Sequence, residues 1–281
     1  MHDDDLPELM GRRYTRFVER LKASDHMLAA EEFTKLLALL RRNDAKIPPR
    51  LLSAMMESWI DLFWQCRRHD LMLTAADDAI AIFGADPEWS FAKGESLFYL
   101  GRFDEARKIL EELTTEDFEE PMIYYLLACL AERRGDIEST QRLFQSANRL
   151  DPKGFIIPIE ITEDVAQQTY RDCLAELPEQ IAWQIKDVPI FVDALPSDEL
   201  LRSCDPPIDP LVMGLFMGQP QGAGESPWPS DQPRILLFHR NIAKLAGDFE
   251  AIEDELRKTL FHEVGHFLGF DEDQLEEMGL G

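Results

Sequence analysis

Leu260-Phe-His262-Glu263-Val-Gly-His266-Phe-Leu-Gly269-Phe-Asp271-Glu272-Asp273 is the stretch that decides how the C-terminal part of the chain is read. His262 and His266 stand four apart, about 400° of rotation on an α-helix, so their imidazoles lie one turn apart on one face and can grip a single ion. The flanking Leu260, Phe261, Val264, Phe267 and Leu268 are apolar, which predicts a helix buried nearly all round. Two histidines and a glutamate in such a helix are costly unless partners satisfy them, and a divalent metal with a water does so. The arrangement is H-E-x-x-H, and the chemistry it suits is metal-assisted amide hydrolysis.

A catalytic zinc takes three protein ligands and keeps one position open for water. Prolonged as a helix, the chain would carry residue 272 about 15 Å beyond His262, so it must stop and double back. Gly269 supplies the break, because glycine accepts the left-handed conformation that ends helices. The spacing H-E-x-x-H-x-x-G-x-x-E then brings Glu272 to the third position. Asp271 and Asp273 stay as alternatives, since five of the seven residues from Asp271 to Glu277 are acidic. Glu263 points beside the ion rather than at it, and its expected role is general base: it takes a proton from the attacking water and hands it to a leaving amine. One Zn2+ is the expected cofactor, although the same ligands also take cobalt, nickel or iron.

Outward from the motif, a long helix is expected over Glu250–Leu268. Upstream, helices are expected over Glu163–Glu176, capped by Thr162, and over Pro178–Lys186. Val188–Val192, Val212–Met217 and Arg234–Phe238 read as strands. Gly218–Pro233, rich in Gly, Pro, Ser and Gln, reads as a loop, and without G-K-[ST] its glycines make no phosphate cradle. Residues 159–281 are therefore expected to form one α+β domain.

Over that span the chain resembles the small bacterial metallopeptidase-like family of minimal zincins. The resemblance rests on Leu174-Ala-Glu-Leu-Pro-Glu, Val188-Pro-Ile-Phe-Val-Asp, Leu215-Phe-Met-Gly218-Gln-Pro, Arg234-Ile-Leu-Leu-Phe-His-Arg240 and the block from His262 to Leu280, in that order and spacing. It implies a zincin fold, peptide-bond hydrolysis with no particular substrate, and a motif H-E-x-x-H-x-x-G-x-x-[DE] whose last acid falls on Glu272. The family often carries tyrosine where this chain has Phe216, so a hydroxyl that would help polarise substrate is missing. Zincins also pair an extended peptide with the edge strand of their sheet. Leu211–Met217 is the candidate strand, with the Gly218–Pro233 loop and Trp228 beside the cleft as a mobile lid. His239 and Arg240, just past the third strand, are candidates for hydrogen bonding a tetrahedral oxyanion.

The first half of the chain is helical by periodicity and carries an internal repeat. Displacing the stretch from Pro87 by 34 residues, the tetratricopeptide period, brings Pro87 onto Pro121 and Gly101 onto Gly135. Tyr124, Leu127, Ala128, Phe144, Ala147 and Pro152 in the later copy, and Gly94, Phe103, Ala106 and Leu110 in the earlier, fall near that repeat's aromatic, small and proline positions. Two more hairpins are expected upstream, Tyr14–Leu21 with Met27–Leu40 and Leu51–Arg67 with Leu71–Phe83, meeting near Ile47-Pro48-Pro49. Residues 14–152 thus resemble a tetratricopeptide array, preceded by a flexible tail over 1–13. The resemblance implies a groove that recruits a protein partner or substrate to the hydrolytic domain.

Acidic residues outnumber basic ones by 54 to 29, for a net charge of −25, so the basic footprint that nucleic acid or anionic membrane would require is missing. The longest apolar runs fall short of the roughly 20 residues of a spanning helix. The acidic opening Met1-His-Asp-Asp-Asp-Leu-Pro is unlike a signal peptide, and a cytoplasmic protein is expected. Cys66, Cys129, Cys173 and Cys204 form no C-x-x-C pair and read as reduced. The expected fold is an all-α helical-hairpin array followed by a small zincin-like α+β domain. The expected function is zinc-dependent hydrolysis of a peptide or protein substrate, and the rival is a protein-interaction adaptor with a non-catalytic metal site.

Overall fold

The computed structural model describes residues 6–23, 26–43, 47–115, 118–221 and 232–280. By its contacts the chain divides into two compact units, 1–96 and 97–281.

The first unit is helical: α1 (Leu6–Lys22), α2 (His26–Asn43), α3 (Pro49–Gln65), α4 (His69–Phe83) and the start of α5 (Pro87–Tyr99). α1 pairs with α2 and α3 with α4. Phe17, Phe33, Trp59 and Phe63 fill the centre, all at most 1 % exposed. Phe33 meets Phe63 edge-on at 4.6 Å and Trp59 at 5.3 Å, the geometry that sets a positive ring edge on a negative face. α1 already begins at Leu6, so residues 6–13, read above as tail, are its first turns, while residues 1–5 lie outside the described residues.

The second unit continues with α6 (Phe103–Leu113), α7 (Pro121–Arg133) and α8 (Ile137–Leu150), then passes into α9 (Glu163–Ala175), α10 (Glu179–Ile185), β1 (Ile190–Asp193), α11 (Asp198–Leu201), β2 (Gly214–Met217), β3 (Arg234–Phe238), α12 (His239–Ala243), α13 (Phe249–Leu268) and α14 (Glu272–Glu277). The three strands lie in the order β1-β3-β2, with β1 parallel and β2 antiparallel to β3. An α-rich N-terminal array is thus followed by a small α+β domain. Alternation along the strands makes two apolar faces. Val192, Phe216, Ile235 and Leu237 pack on Leu256, Leu260, Val264 and Phe267 of α13. Leu215, Met217, Leu236 and Phe238 pack on Leu201 and Ile208.

Two strands are shorter than the alternation predicts. β1 starts at Ile190 rather than Val188 because Pro189 has no N–H to give the ladder; only its carbonyl joins, accepting from Ile235 N. β2 starts at Gly214 rather than Val212 because Asp209 draws the preceding backbone into a turn, its side chain accepting from Leu211 N and its carbonyl from Val212 N. Helices α9 and α13 fall where predicted, capped by Thr162 and by Asp248.

One turn geometry between consecutive helices recurs. Gly101 and Gly135 take left-handed φ of 69° and 72°, and Arg67, one 34-residue period earlier, takes 53°. Each turn closes with the same two bonds: Arg68 N to Phe63 O and Arg67 N to Trp64 O, Arg102 N to Leu97 O and Gly101 N to Phe98 O, Asp136 N to Ala131 O and Gly135 N to Glu132 O. The same turn geometry therefore occurs after α3, with arginine where the two later turns have glycine.

Candidate metal centre

The α13 helix carries His262, Glu263 and His266 in its last two turns. It stops in a Schellman turn: Gly269 sits at φ 95°, Gly269 N–H bonds His266 O, and Phe270 N–H bonds Gly265 O, each at 3.0 Å. The chain then reverses into α14. Asp271 is the N-cap of α14, its side chain accepting from Gln274 N while Gln274 reaches back to Asp271 N. With Asp271 so engaged, Glu272 in the first turn faces the imidazoles.

His262 Nε2 and His266 Nε2 lie 2.9 Å apart, and the Glu272 carboxylate oxygens lie 3.6 Å from the first and 3.4 Å from the second. All three ligand atoms fall within 4.8 Å of one another. Donors held at about 2.0–2.1 Å by one tetrahedral ion stand about 3.3 Å apart, so the spacing fits an ion after movements of a few tenths of an ångström. The donor chemistry fits as well. His262 Nδ1 faces the Leu280 carbonyl at 2.8 Å and His266 Nδ1 faces the Phe270 carbonyl at 3.2 Å. A carbonyl only accepts, so each neutral ring keeps its proton on Nδ1 and turns a bare Nε2 lone pair toward the other. Two lone pairs meeting beside a carboxylate are unfavourable until a cation joins them. The histidines are half-buried and Glu272 is 71 % exposed, so the cluster opens to solvent on its carboxylate side.

Glu263 is buried, and its Oε2 accepts from Phe216 N at 2.6 Å. Burial in apolar surroundings pushes its carboxyl up to about 8, with the Glu272 charge acting in the same direction and the Phe216 N–H against it. The contact requires β2 to lie close on α13, and Gly214 permits this: a Cβ there would meet Thr259 Cγ2 at 2.7 Å and Glu263 Oε1 at 2.8 Å. β2 is the sheet edge. Met213 O accepts from Phe238 N, so by the antiparallel alternation Gly214 and Phe216 turn their own N–H and C=O groups away from β3. The Phe216 ring is buried against Phe267 at 5.8 Å.

With helix, sheet edge and donor cluster in place, comparison with known families is informative. Residues 185–281 match the model of the zincin-like metallopeptidase family. Comparison with curated proteins gave no match. The zincin-like domain thus begins at the end of α10 and takes in the whole sheet, α13 and α14.

Other expected participants lie elsewhere. His239 is buried, and Arg240 reaches Glu132 at 3.6 Å while lining a cleft of about 920 Å³ with Phe191, Met217 and Leu236, on the sheet face away from α13. None of His262, Glu263, His266 and Glu272 lines that cleft, so the oxyanion role expected of His239 and Arg240 is not supported. The lid expectation for Gly218–Pro233 falls largely on residues 222–231, Trp228 included, which lie outside the described residues. What the sequence did not show is the main-chain acceptor at Leu280, which no residue type signals.

Proposed function

We propose that the zincin-like domain is a zinc-dependent peptidase in which His262, His266 and Glu272 hold the ion and Glu263 is the general base. The observation that supports this most is the convergence of two lone-pair-bearing Nε2 atoms and a carboxylate next to a buried glutamate already hydrogen-bonded to the sheet edge. When bound, the ion supplies Lewis-acid polarisation of the scissile carbonyl and lowers the pKa of a water toward neutrality. Glu263 takes a proton from the attacking water as its oxygen bonds the carbonyl carbon. It then delivers that proton to the amine nitrogen as the C–N bond breaks. Burial raises the basicity of the Glu263 carboxylate above that of a solvated one, which suits a group that must accept a proton and return it. Of the outward groups of β2, the Phe216 N–H is engaged by Glu263, and the Gly214 N–H and C=O with the Phe216 C=O are the ones offered to an extended substrate backbone.

Recruitment by the helical array belongs to the same proposal. The turn repeated at Arg67, Gly101 and Gly135 supports a tetratricopeptide-like stack, the kind of surface that holds a peptide or protein. Four free cysteines are in keeping with a cytoplasmic setting, and no helix among the described residues is long and apolar enough to cross a membrane.

The test is hydrolysis of a quenched fluorescent peptide library by the zinc-loaded chain. Glu263→Gln is expected to lower the rate about 10²–10⁴-fold with zinc content unchanged. Undiminished hydrolysis in that variant removes the reading.

A further inference from the structure

His262 and Leu280, 18 residues apart, are brought together by the chain reversal after α13 and the helix α14. That helix has six residues and is fixed at three points. Its start is the Asp271–Gln274 capping box, which sets Glu272 opposite the two imidazoles. At its middle Leu275 is fully buried over Gly265, where an added Cβ would approach Leu275 Cδ2 far inside contact distance. Its end is a second Schellman turn, with Gly279 at φ 75°, Gly279 N–H on Glu276 O and Leu280 N–H on Leu275 O, both at 2.9 Å. The Leu280 carbonyl emerging from that turn meets His262 Nδ1 at 2.8 Å. One rigid bracket therefore carries a carboxylate and a carbonyl to the same pair of rings.

We propose that the turn Met278-Gly279-Leu280 is a positioning element of the metal centre, its Leu280 carbonyl fixing the His262 ring with the proton on Nδ1 and the Nε2 lone pair directed at the ion. The inference rests on the metal-binding reading above. An imidazole free to rotate must surrender that freedom, and in half its orientations the wrong nitrogen faces the site; the carbonyl removes both losses before the ion arrives. The acceptor is main chain, so it neither titrates nor changes rotamer. Outer hydrogen bonds of this kind are worth about 10–100-fold in metal affinity.

The test uses the full chain, Zn2+ alone as the probe, and competition with a chromophoric chelator. Removal of residues 279–281, and separately Gly279→Val, which strains the left-handed turn, are each expected to weaken zinc binding about 10–100-fold, with the far-ultraviolet circular dichroism of the metal-free protein unchanged. Nitrogen-15 shifts of the metal-free wild type are expected to show neutral His262 as the Nδ1–H tautomer. In the truncated chain His262 moves toward Nε2–H, whereas His266, whose partner is Phe270 O, does not. Zinc affinity within twofold of wild type in both variants, or an Nε2–H tautomer at His262 in the wild type, overturns the proposal. A wild type that takes up no zinc fails at the first arm, and then the metal reading falls with it.

Discussion

Lys244 Nζ lies 2.6 Å from Glu132 Oε2 with both side chains under a tenth exposed, a buried ion pair that ties the end of α7 to α12 of the zincin-like domain. Lys244 also donates to Asn241 Oδ1, and Asn241 donates to the Pro210 and Val212 carbonyls that lead into β2. Beside it Arg133 reaches Asp198 at 2.6 Å and lies over the Phe103 ring. Removing one partner of a buried pair strands the other charge, so Glu132→Ala is expected to cost about 3–5 kcal/mol in urea unfolding, and Glu132→Gln less. The same pair governs truncation. A fragment 97–281 keeps it and should melt cooperatively, whereas 151–281 leaves Lys244 unpaired and should melt lower or not fold. Equal melting temperatures for the two fragments would contradict this.

Gly214 controls Glu263 from the facing strand. A methyl group there would stand within 3 Å of Thr259 and of the Glu263 carboxylate. Gly214→Ala is expected to lower stability by about 1–3 kcal/mol and to reduce peptide hydrolysis with zinc content retained. The opposite pattern, full hydrolysis at wild-type stability, would show that β2 does not confine the glutamate.

Arg67 holds a left-handed backbone that glycine holds at the two later turns of the repeat. A side chain in that conformation costs roughly 1–2 kcal/mol, partly offset by the extra freedom glycine gives the unfolded chain. Arg67→Gly should therefore stabilise the protein by about 1 kcal/mol and Arg67→Val should destabilise it, read as shifts of the denaturant midpoint. A glycine variant no more stable than the valine variant would refute the assignment.

His239 is buried, and among the described residues its Nδ1 has no hydrogen-bond partner. Burial, then the charges of Arg240 and Lys244, hold it down at about 4 against an ordinary 6.5. The unfolded chain therefore takes up a proton below pH 6.5 that the folded chain refuses until about pH 4. The contribution is fully present above 6.5 and is lost as pH falls through that window, about 3 kcal/mol at most. His69, also held at about 4 by burial, acts in the same direction. Stability of wild type minus that of His239→Gln is thus expected to fall between pH 6.5 and 4. A flat difference would mean the ring is solvated.

Much of the site is legible because its signals are local. Two histidines at helical spacing and a glycine that ends the helix need no knowledge of the rest of the fold. Sequence leaves Asp271, Glu272 and Asp273 all as candidates for the third ligand because five of the seven residues 271–277 are acidic; only the start of α14 shows Asp271 engaged as its cap. Leu280 was invisible because it acts through a main-chain atom. The α3–α4 hairpin is legible from its two helices, although arginine takes the glycine position of its turn, whereas Glu132 and Lys244, 112 residues apart, give no local signal at all. Strand ends failed where one residue overruled the alternation, Pro189 by lacking a donor and Asp209 by capturing the backbone.

The most direct measurement is the metal content of the purified full chain beside His262→Ala, after zinc loading and exhaustive dialysis. The account predicts about one zinc per chain in the wild type and its loss in the variant. Zinc absent from both, or equally retained by both, would contradict it.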